Sequence, residues 1–197
     1  QTLAYVLGLS PSMADWQRII NINLVSAARV AEAALPMMAV GGAALFVSSL
    51  AAHATRPAAP LVPLLDAPLA ADFLTALAAA HGQEPTSGEA YGLSKLGLLR
   101  LCRRLASAWG ERGVRILSLS PGLIRTPMGD LEFRNQPTKY QLLERTPLKR
   151  QGNLNEIADA VEFLCSSRAS FITGTDLLID GGIAAAVAGK MRPFAER

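Results

Sequence analysis

Tyr91 and Lys95 stand four apart in the run Tyr91-Gly92-Leu93-Ser94-Lys95. On a helix that spacing puts both side chains on one face, one turn apart. A free phenol, with a pKa of about 10, is a poor base near neutrality. A neighbouring ammonium favours the phenolate and lowers that value. The pair therefore suits proton transfer to and from a carbonyl/alcohol couple. Alone it says little, because average composition gives some Tyr-x-x-x-Lys in roughly one chain in four of this length. Its company says more. Ser49 closes an apolar run, where a hydroxyl either reaches a substrate oxygen or satisfies a turn. Asn23, in Asn21-Ile22-Asn23-Leu24, is polar within an apolar stretch. It either serves a site or is a buried amide bonded to nearby backbone. Pro121-Gly122-Leu123-Ile124-Arg125-Thr126-Pro127 offers backbone and hydroxyl groups to a ligand, or is simply a turn. Each feature is ordinary, but their joint order in one chain is not.

These residues need elements to hold them. Leu3 to Leu7 reads as a short buried strand ending at Gly8. Ser12-Met13-Ala14-Asp15 has a capping-box-like spacing. A helix is expected from about Ala14 to Leu35, with Trp16, Ile19, Ile20, Leu24, Ala27, Ala28, Ala31 and Leu35 recurring at three and four. Ala43 to Val47 reads as a buried strand carrying Ser48 and Ser49 at its end. Residues 51–88 read as irregular, with a helix from about Leu69 to Ala80 closed by Gly82. A long helix follows from about Glu89 to Trp109, then a strand from Val114 to Leu119. Residues 123–153 read as a long loop with partial helix. A helix over Asn155 to Cys165, capped at Asn153 or Asn155, precedes a last strand, Thr175 to Ile179. Short apolar strands alternating with helices predict a parallel sheet covered on both faces. Ligands then bind at the C-terminal strand ends, where Gly8, Ser48, Ser49, Pro121 and Gly122 fall.

Composition narrows the classes. The 197 residues suffice for one domain, and they are half hydrophobic and 18% charged. Net charge is +3, with basic residues scattered and no stripe interleaved with aromatics, so nucleic acid is not an expected partner. The most apolar region, Val25 to Val47, is broken by Arg29, Glu32, Pro36 and Gly41-Gly42, so no membrane span is expected there. Cys102 and Cys165 read as buried reduced thiols, and no leader peptide or metal cluster is read. A cytoplasmic location is the expectation.

The sequence resembles the short-chain dehydrogenase/reductase family over nearly its whole length. The shared features, in family order, are the Asn-x-Asn-Leu helix, Val47-Ser48-Ser49, Tyr-x-x-x-Lys, the Pro-Gly loop with Thr126, and the closing Thr173-Gly174-Thr175 to Asp180-Gly181-Gly182 segment. The resemblance implies a Rossmann-like, doubly wound α/β fold and a catalytic tetrad of Asn23, Ser49, Tyr91 and Lys95. Tyr91 would be the acid/base and Ser49 would hold the substrate oxygen. Lys95 would bind the nicotinamide ribose and bias Tyr91, and Asn23 would hold a water relaying protons to Lys95. Gly8, Pro121, Gly122, Ile124 and Thr126 would join Tyr91 and Lys95 in binding NAD or NADP, with NAD slightly favoured.

Two departures stand out. The family's glycine-rich turn, with its strand and helix, is not in this sequence, and the element before Gly8 reads Tyr5-Val6-Leu7. The chain opens at Gln1 on an apolar run, so the rest of the nucleotide-binding half is expected upstream. Ser49 and Tyr91 are also 42 positions apart, an unusually long gap filled by residues 51–88. In this the layout resembles the bacterial hydroxysteroid dehydrogenase/carbonyl reductase branch, whose members carry a helical insertion there. The apolar face of that insertion (Leu69, Phe73, Leu77) would pack on a partner subunit, shape a substrate entrance, or form a satellite helix on its own domain. The expected reaction interconverts a secondary alcohol and a ketone or aldehyde. A small hydrophobic substrate, steroid-like ones included, suits the apolar residues Leu123, Met128, Leu131, Phe133, Tyr140 and Leu142 of the 123–153 loop. The alternative is a non-catalytic, cofactor-sensing or scaffolding relative. A homodimer or homotetramer is expected from the wide apolar stripes of the helices at 14–35 and 89–109.

Overall fold

Four short apolar runs become strands of one parallel sheet. They are β1 (Thr2–Tyr5), β2 (Ala43–Val47), β3 (Arg115–Pro121) and β4 (Asp176–Ile179). The computed structural model describes residues 1–135 and 137–188, and the side chains of Met128 and Glu132 lie outside that description. The strands lie in the order β1-β2-β3-β4, every pairing parallel, so each connection crosses over a face of the sheet. Tyr5, Phe46 and Ile116 point to one face and meet Ala27, Ala31, Leu98 and Trp109. Leu45, Leu117 and Leu119 point to the other and meet Leu164. The architecture is the expected Rossmann-like α/β sheet with helices on both faces.

The first crossover departs from the expected single helix. It runs as α1 (Trp16–Ile20), a π turn (Asn21–Val25), α2 (Ser26–Ala34) and a 3-10 turn (Leu35–Met37). Its cap is Asp15, whose carboxylate accepts from Arg18 N at 2.8 Å, and not Ser12. Asp caps as well as Ser does. The π turn carries an extra residue in its hydrogen-bonded ring. It is pinned by Ser26 Oγ, which bonds Ile22 O at 2.5 Å and Tyr5 Oη at 2.6 Å.

Residues 51–88 hold more helix than expected: α3 (Leu50–Ala54), α4 (Leu61–Asp66) and α5 (Phe73–His81), the last starting four residues later than anticipated and ending at Gly82. Leu61, Leu65, Phe73 and Leu77 pack on Trp16, Ile19, Ile20, Leu24, Ala90 and Leu93. Asp66 also takes a two-pronged bond from Arg100, at 2.8 and 2.5 Å. These contacts pack the segment on its own domain, where it covers part of the apolar stripes of the helices at 14–35 and 89–109.

The long helix is α6 (Ser87–Glu111), opened by a capping box between Thr86 and Glu89. At Gly92 a Cβ would stand 2.3 Å from Thr55 Oγ1, so the end of α3 rests against α6 only because that position has no side chain. The expected 123–153 loop contains α7 (Pro127–Asn135) and α8 (Thr138–Arg145), with Phe133 edge-on to Tyr140 at 5.0 Å. The chain then bridges back from Gly152 to Ile124. α9 (Leu154–Cys165) is capped by Asn153, which shares a capping box with Glu156. A short α10 (Ile183–Ala188), not anticipated, follows Asp180, whose carboxylate accepts from Gly182 N and Ala184 N. Among the described residues no helix is long and apolar enough to cross a membrane.

Candidate active site

The C-terminal ends of β2 and β3 lie side by side, since Val47 pairs with Leu119. Three elements converge on the β2 end. The π turn brings Asn23, the start of α3 brings Ser49, and the second and third turns of α6 bring Tyr91 and Lys95.

Lys95 is the centre of this corner. Its Nζ donates to Val47 O at 3.0 Å and lies 5.8 Å from the centre of the Tyr91 ring. The residue is 5% exposed, and burial lowers its pKa to about 8. Burial disfavours the charged form, and a single carbonyl offsets this only in part. At neutral pH the group is still an ammonium. Ser48 Oγ donates to Lys95 O at 2.8 Å, so the residue preceding Ser49 is tied to the Lys95 backbone.

Asn23 is 1% exposed and fully engaged. Its Oδ1 accepts from Leu9 N at 2.7 Å. Its Nδ2 donates to Leu9 O at 3.0 Å and to Ser94 Oγ at 3.2 Å. Ser94 Oγ in turn donates to Tyr91 O at 2.8 Å. The amide therefore fastens the chain just after Gly8 to the helix that carries Tyr91. At Gly8 a Cβ would lie 3.1 Å from Lys95 Nζ and 3.4 Å from Asn23 Oδ1. The absent side chain lets Lys95 Nζ and Asn23 Oδ1 stand close against the Gly8 backbone.

Ser49 is half-buried and caps α3, its Oγ accepting from Ala51 N at 3.2 Å. The hydroxyl hydrogen remains available to an outside oxygen. Pro121 closes β3, and Gly122 N donates to Ile179 O, which places both one strand along the same sheet edge. Ile124 is held by its bridge to Gly152, and Thr126 Oγ1 accepts from Gly129 N at 2.9 Å, capping α7. The structure thus gathers Asn23, Tyr91, Lys95 and Gly8 tightly, with Ser49 tied in through its neighbour. Pro121, Gly122, Ile124 and Thr126 form a second group beside them.

Sequence reasoning missed Val47 O, Leu9 and Ser94. Ser94 lies three residues from Tyr91 and was within reach of the helical spacing argument. A backbone carbonyl such as that of Val47 leaves no trace in residue type. Of the loop residues expected over the site, Leu123 and Phe133 are buried and Tyr140 is exposed, while the Met128 side chain is outside the described residues. Among the described residues no cluster of His, Cys, Asp and Glu could hold a metal ion.

The family described as Enoyl-(Acyl carrier protein) reductase matches residues 8–64 and 62–184. A 3-alpha-hydroxysteroid dehydrogenase/carbonyl reductase of Comamonas testosteroni is 32% identical over 197 residues, covering 97% of this chain and 74% of that protein. A tropinone reductase homolog of Arabidopsis thaliana is 41% identical over 97 residues, covering 49% of this chain and 32% of its own. The crystal structure of the 3-alpha-hydroxysteroid dehydrogenase from Pseudomonas sp. B-0831, complexed with NADH, superposes with a TM-score of 0.80 at 29% identity, covering 98% of this chain and 75% of that one. The chain spans less than two thirds of the length of several curated relatives that it matches.

Proposed function

Because the chain belongs to the short-chain dehydrogenase/reductase family, we propose that it forms the catalytic part of an oxidoreductase interconverting a secondary alcohol and a ketone or aldehyde. Residues 1–197 are taken as one domain, with 51–88 as an insertion. The observation that carries the reading is Lys95, a buried ammonium one helical turn from Tyr91 with its Nζ 5.8 Å from the ring centre. Few purely structural roles require an amine buried at that place.

The cofactor test is Gly8. Its lack of a Cβ lets Lys95 Nζ and Asn23 Oδ1 stand against its backbone, which groups a cationic donor and a glycine at the strand end where the ribose and nicotinamide would lie. Lys95 would hold the ribose hydroxyls, and Pro121, Gly122, Ile124 and Thr126 would flank the nicotinamide. When bound, the nicotinamide supplies or accepts the hydride. NAD is favoured over NADP by the NADH complex of the Pseudomonas relative.

In the reducing direction Ser49 donates a hydrogen bond to the substrate oxygen, and Tyr91 gives that oxygen its proton. The Lys95 ammonium stabilises the phenolate left behind. Both Asn23 amide hydrogens are already used. The relay water that replenishes the proton is therefore assigned to the Asn23 backbone carbonyl and not to its amide. Buried Leu123 and Phe133, with the Phe133–Tyr140 pair, support a hydrophobic substrate. The name of the Comamonas relative adds the steroid-like class. Two free cysteines suit a reducing, cytoplasmic setting. A homodimer or homotetramer would have to use surfaces other than those that α4 and α5 cover.

The test is a Tyr91→Phe variant oxidising a 3α-hydroxysteroid with NAD. A fall in kcat of at least about a hundredfold is expected, with the cofactor Kd unchanged. Wild-type turnover in the variant would remove Tyr91 from the chemistry. Intact cofactor binding in a wild-type protein that turns nothing over would favour the sensing or scaffolding alternative.

A further inference from the structure

The residue proposed to hold the substrate oxygen sits on a helix that cannot hold itself. α3 is five residues long, and a helix that short does not persist unaided. One turn on from Ser49, His53 Nε2 meets Asp176 Oδ2 at 2.8 Å. The Asp176 side chain is 2% exposed and that of His53 28%. The other carboxylate oxygen of Asp176 accepts from Ser118 Oγ at 2.6 Å and Ser120 Oγ at 3.0 Å. Both serines are fully buried on β3. Three donors therefore converge on one carboxylate beneath α3, and His53 is the one that comes from outside the sheet.

The sheet itself does not require this arrangement, since β3 and β4 are already joined by their backbone ladder. Burying a carboxylate is costly, and an apolar side chain of similar size commonly packs in such a place at no loss of stability. What a charge-assisted bond adds is direction and length. Thr55, at the far end of α3, lies against Gly92, the residue next to Tyr91. The helix is thus gripped by the sheet through His53 and by α6 through Thr55.

We propose that His53 and Asp176 are positioning residues for Ser49. Their bond fixes the rotation of α3 over β3 and β4, and so fixes where the Ser49 hydroxyl stands relative to Tyr91. The inference rests on the reading of Ser49 as the group that holds the substrate oxygen. A misplacement of the order of an ångström at such a group costs up to about a hundredfold in rate.

The experiment compares His53→Ala, His53→Gln and Ser49→Ala in the full-length protein. The readouts are kcat and KM for a 3α-hydroxysteroid with NAD, together with hydrogen exchange of the backbone amides of residues 51–55. His53→Ala is expected to lower kcat about tenfold and to speed exchange in α3, with KM for NAD unchanged. His53→Gln keeps an N–H for Asp176 and is expected to recover most of both losses. Wild-type kcat with wild-type exchange in His53→Ala would overturn the proposal. So would a His53→Gln that is no better than His53→Ala. If Ser49→Ala keeps full activity, the reading of Ser49 fails. In that case the exchange rates of the two His53 variants still decide whether the pair holds α3.

Discussion

α6 is packed in opposite ways on its two sides. Toward the strand ends it offers Lys95 and Ser94, and its neighbours there are the Val47 carbonyl, the Asn23 amide and the Ser48 hydroxyl. Toward the 51–88 segment it offers Ala90 and Leu93, and its neighbours are Leu61, Leu65, Phe73 and Leu77. The first side is directional and burdened with a buried charge. The second is non-directional and gains from every apolar group removed from water. The difference teaches a division of labour, in which the apolar side anchors the helix and the polar side keeps an ammonium where water would serve it better.

The comparison breaks most sharply at Lys95. Lys95→Met should cost at least about a hundredfold in turnover and yet raise stability at pH 7 by roughly 3 kcal/mol, since one pKa unit is worth about 1.4 kcal/mol. The sign follows from proton uptake. Folded Lys95 titrates near 8 against a usual 10.5, so the unfolded chain binds more protons between those values. The penalty is full below pH 8 and fades as pH rises toward 10.5. Urea midpoints at pH 7 and pH 10 should converge between wild type and variant at the higher pH. Equal midpoints at pH 7 would contradict the cost assigned to this burial.

On the apolar side the expectation reverses. Leu77 is fully buried, and Leu77→Ala should cost about 3 kcal/mol of stability while leaving turnover per folded molecule intact. A loss of kcat in protein shown by circular dichroism to be folded would mean that the insertion does more than anchor. The smallest effect tests where α6 begins. Thr86→Ala removes its capping box and should cost about 1 kcal/mol, visible as a lower Tm, with activity unchanged below the transition.

Which parts were legible follows from the same physics. That Tyr91 and Lys95 stand one turn apart on one helix was legible because helical spacing is written in residue positions. That Ser49 stands at a strand end was legible because a hydroxyl after an apolar run is visible as a residue type. The sheet was readable because buried parallel strands leave continuous apolar runs. α4 was not, since Pro60 and Pro63 suggested irregular chain, yet proline is tolerated around the first turn of a helix. The π turn was missed because apolar residues recurring at three and four run through Asn21–Val25 without a break. The pairing of Asp176 with Ser118 and His53 depends on strand register, which no local pattern announces.

The π turn has one more consequence, for how this gene can change length. An α-helix advances about 100° per residue and the wider π turn only about 80°, so the turn at Asn21–Val25 absorbs one extra residue and returns the flanking helices to step. A one-codon deletion there would leave a regular helix of good propensity. Its two faces would stay in phase, Trp16–Ile20 on the insertion and Ala27–Ala31 on the sheet. What would go is the wide turn itself, and with it the placement of Asn23. Substitutions in the cores act on packing, whereas a frame-preserving deletion here would spare both cores and act on the site.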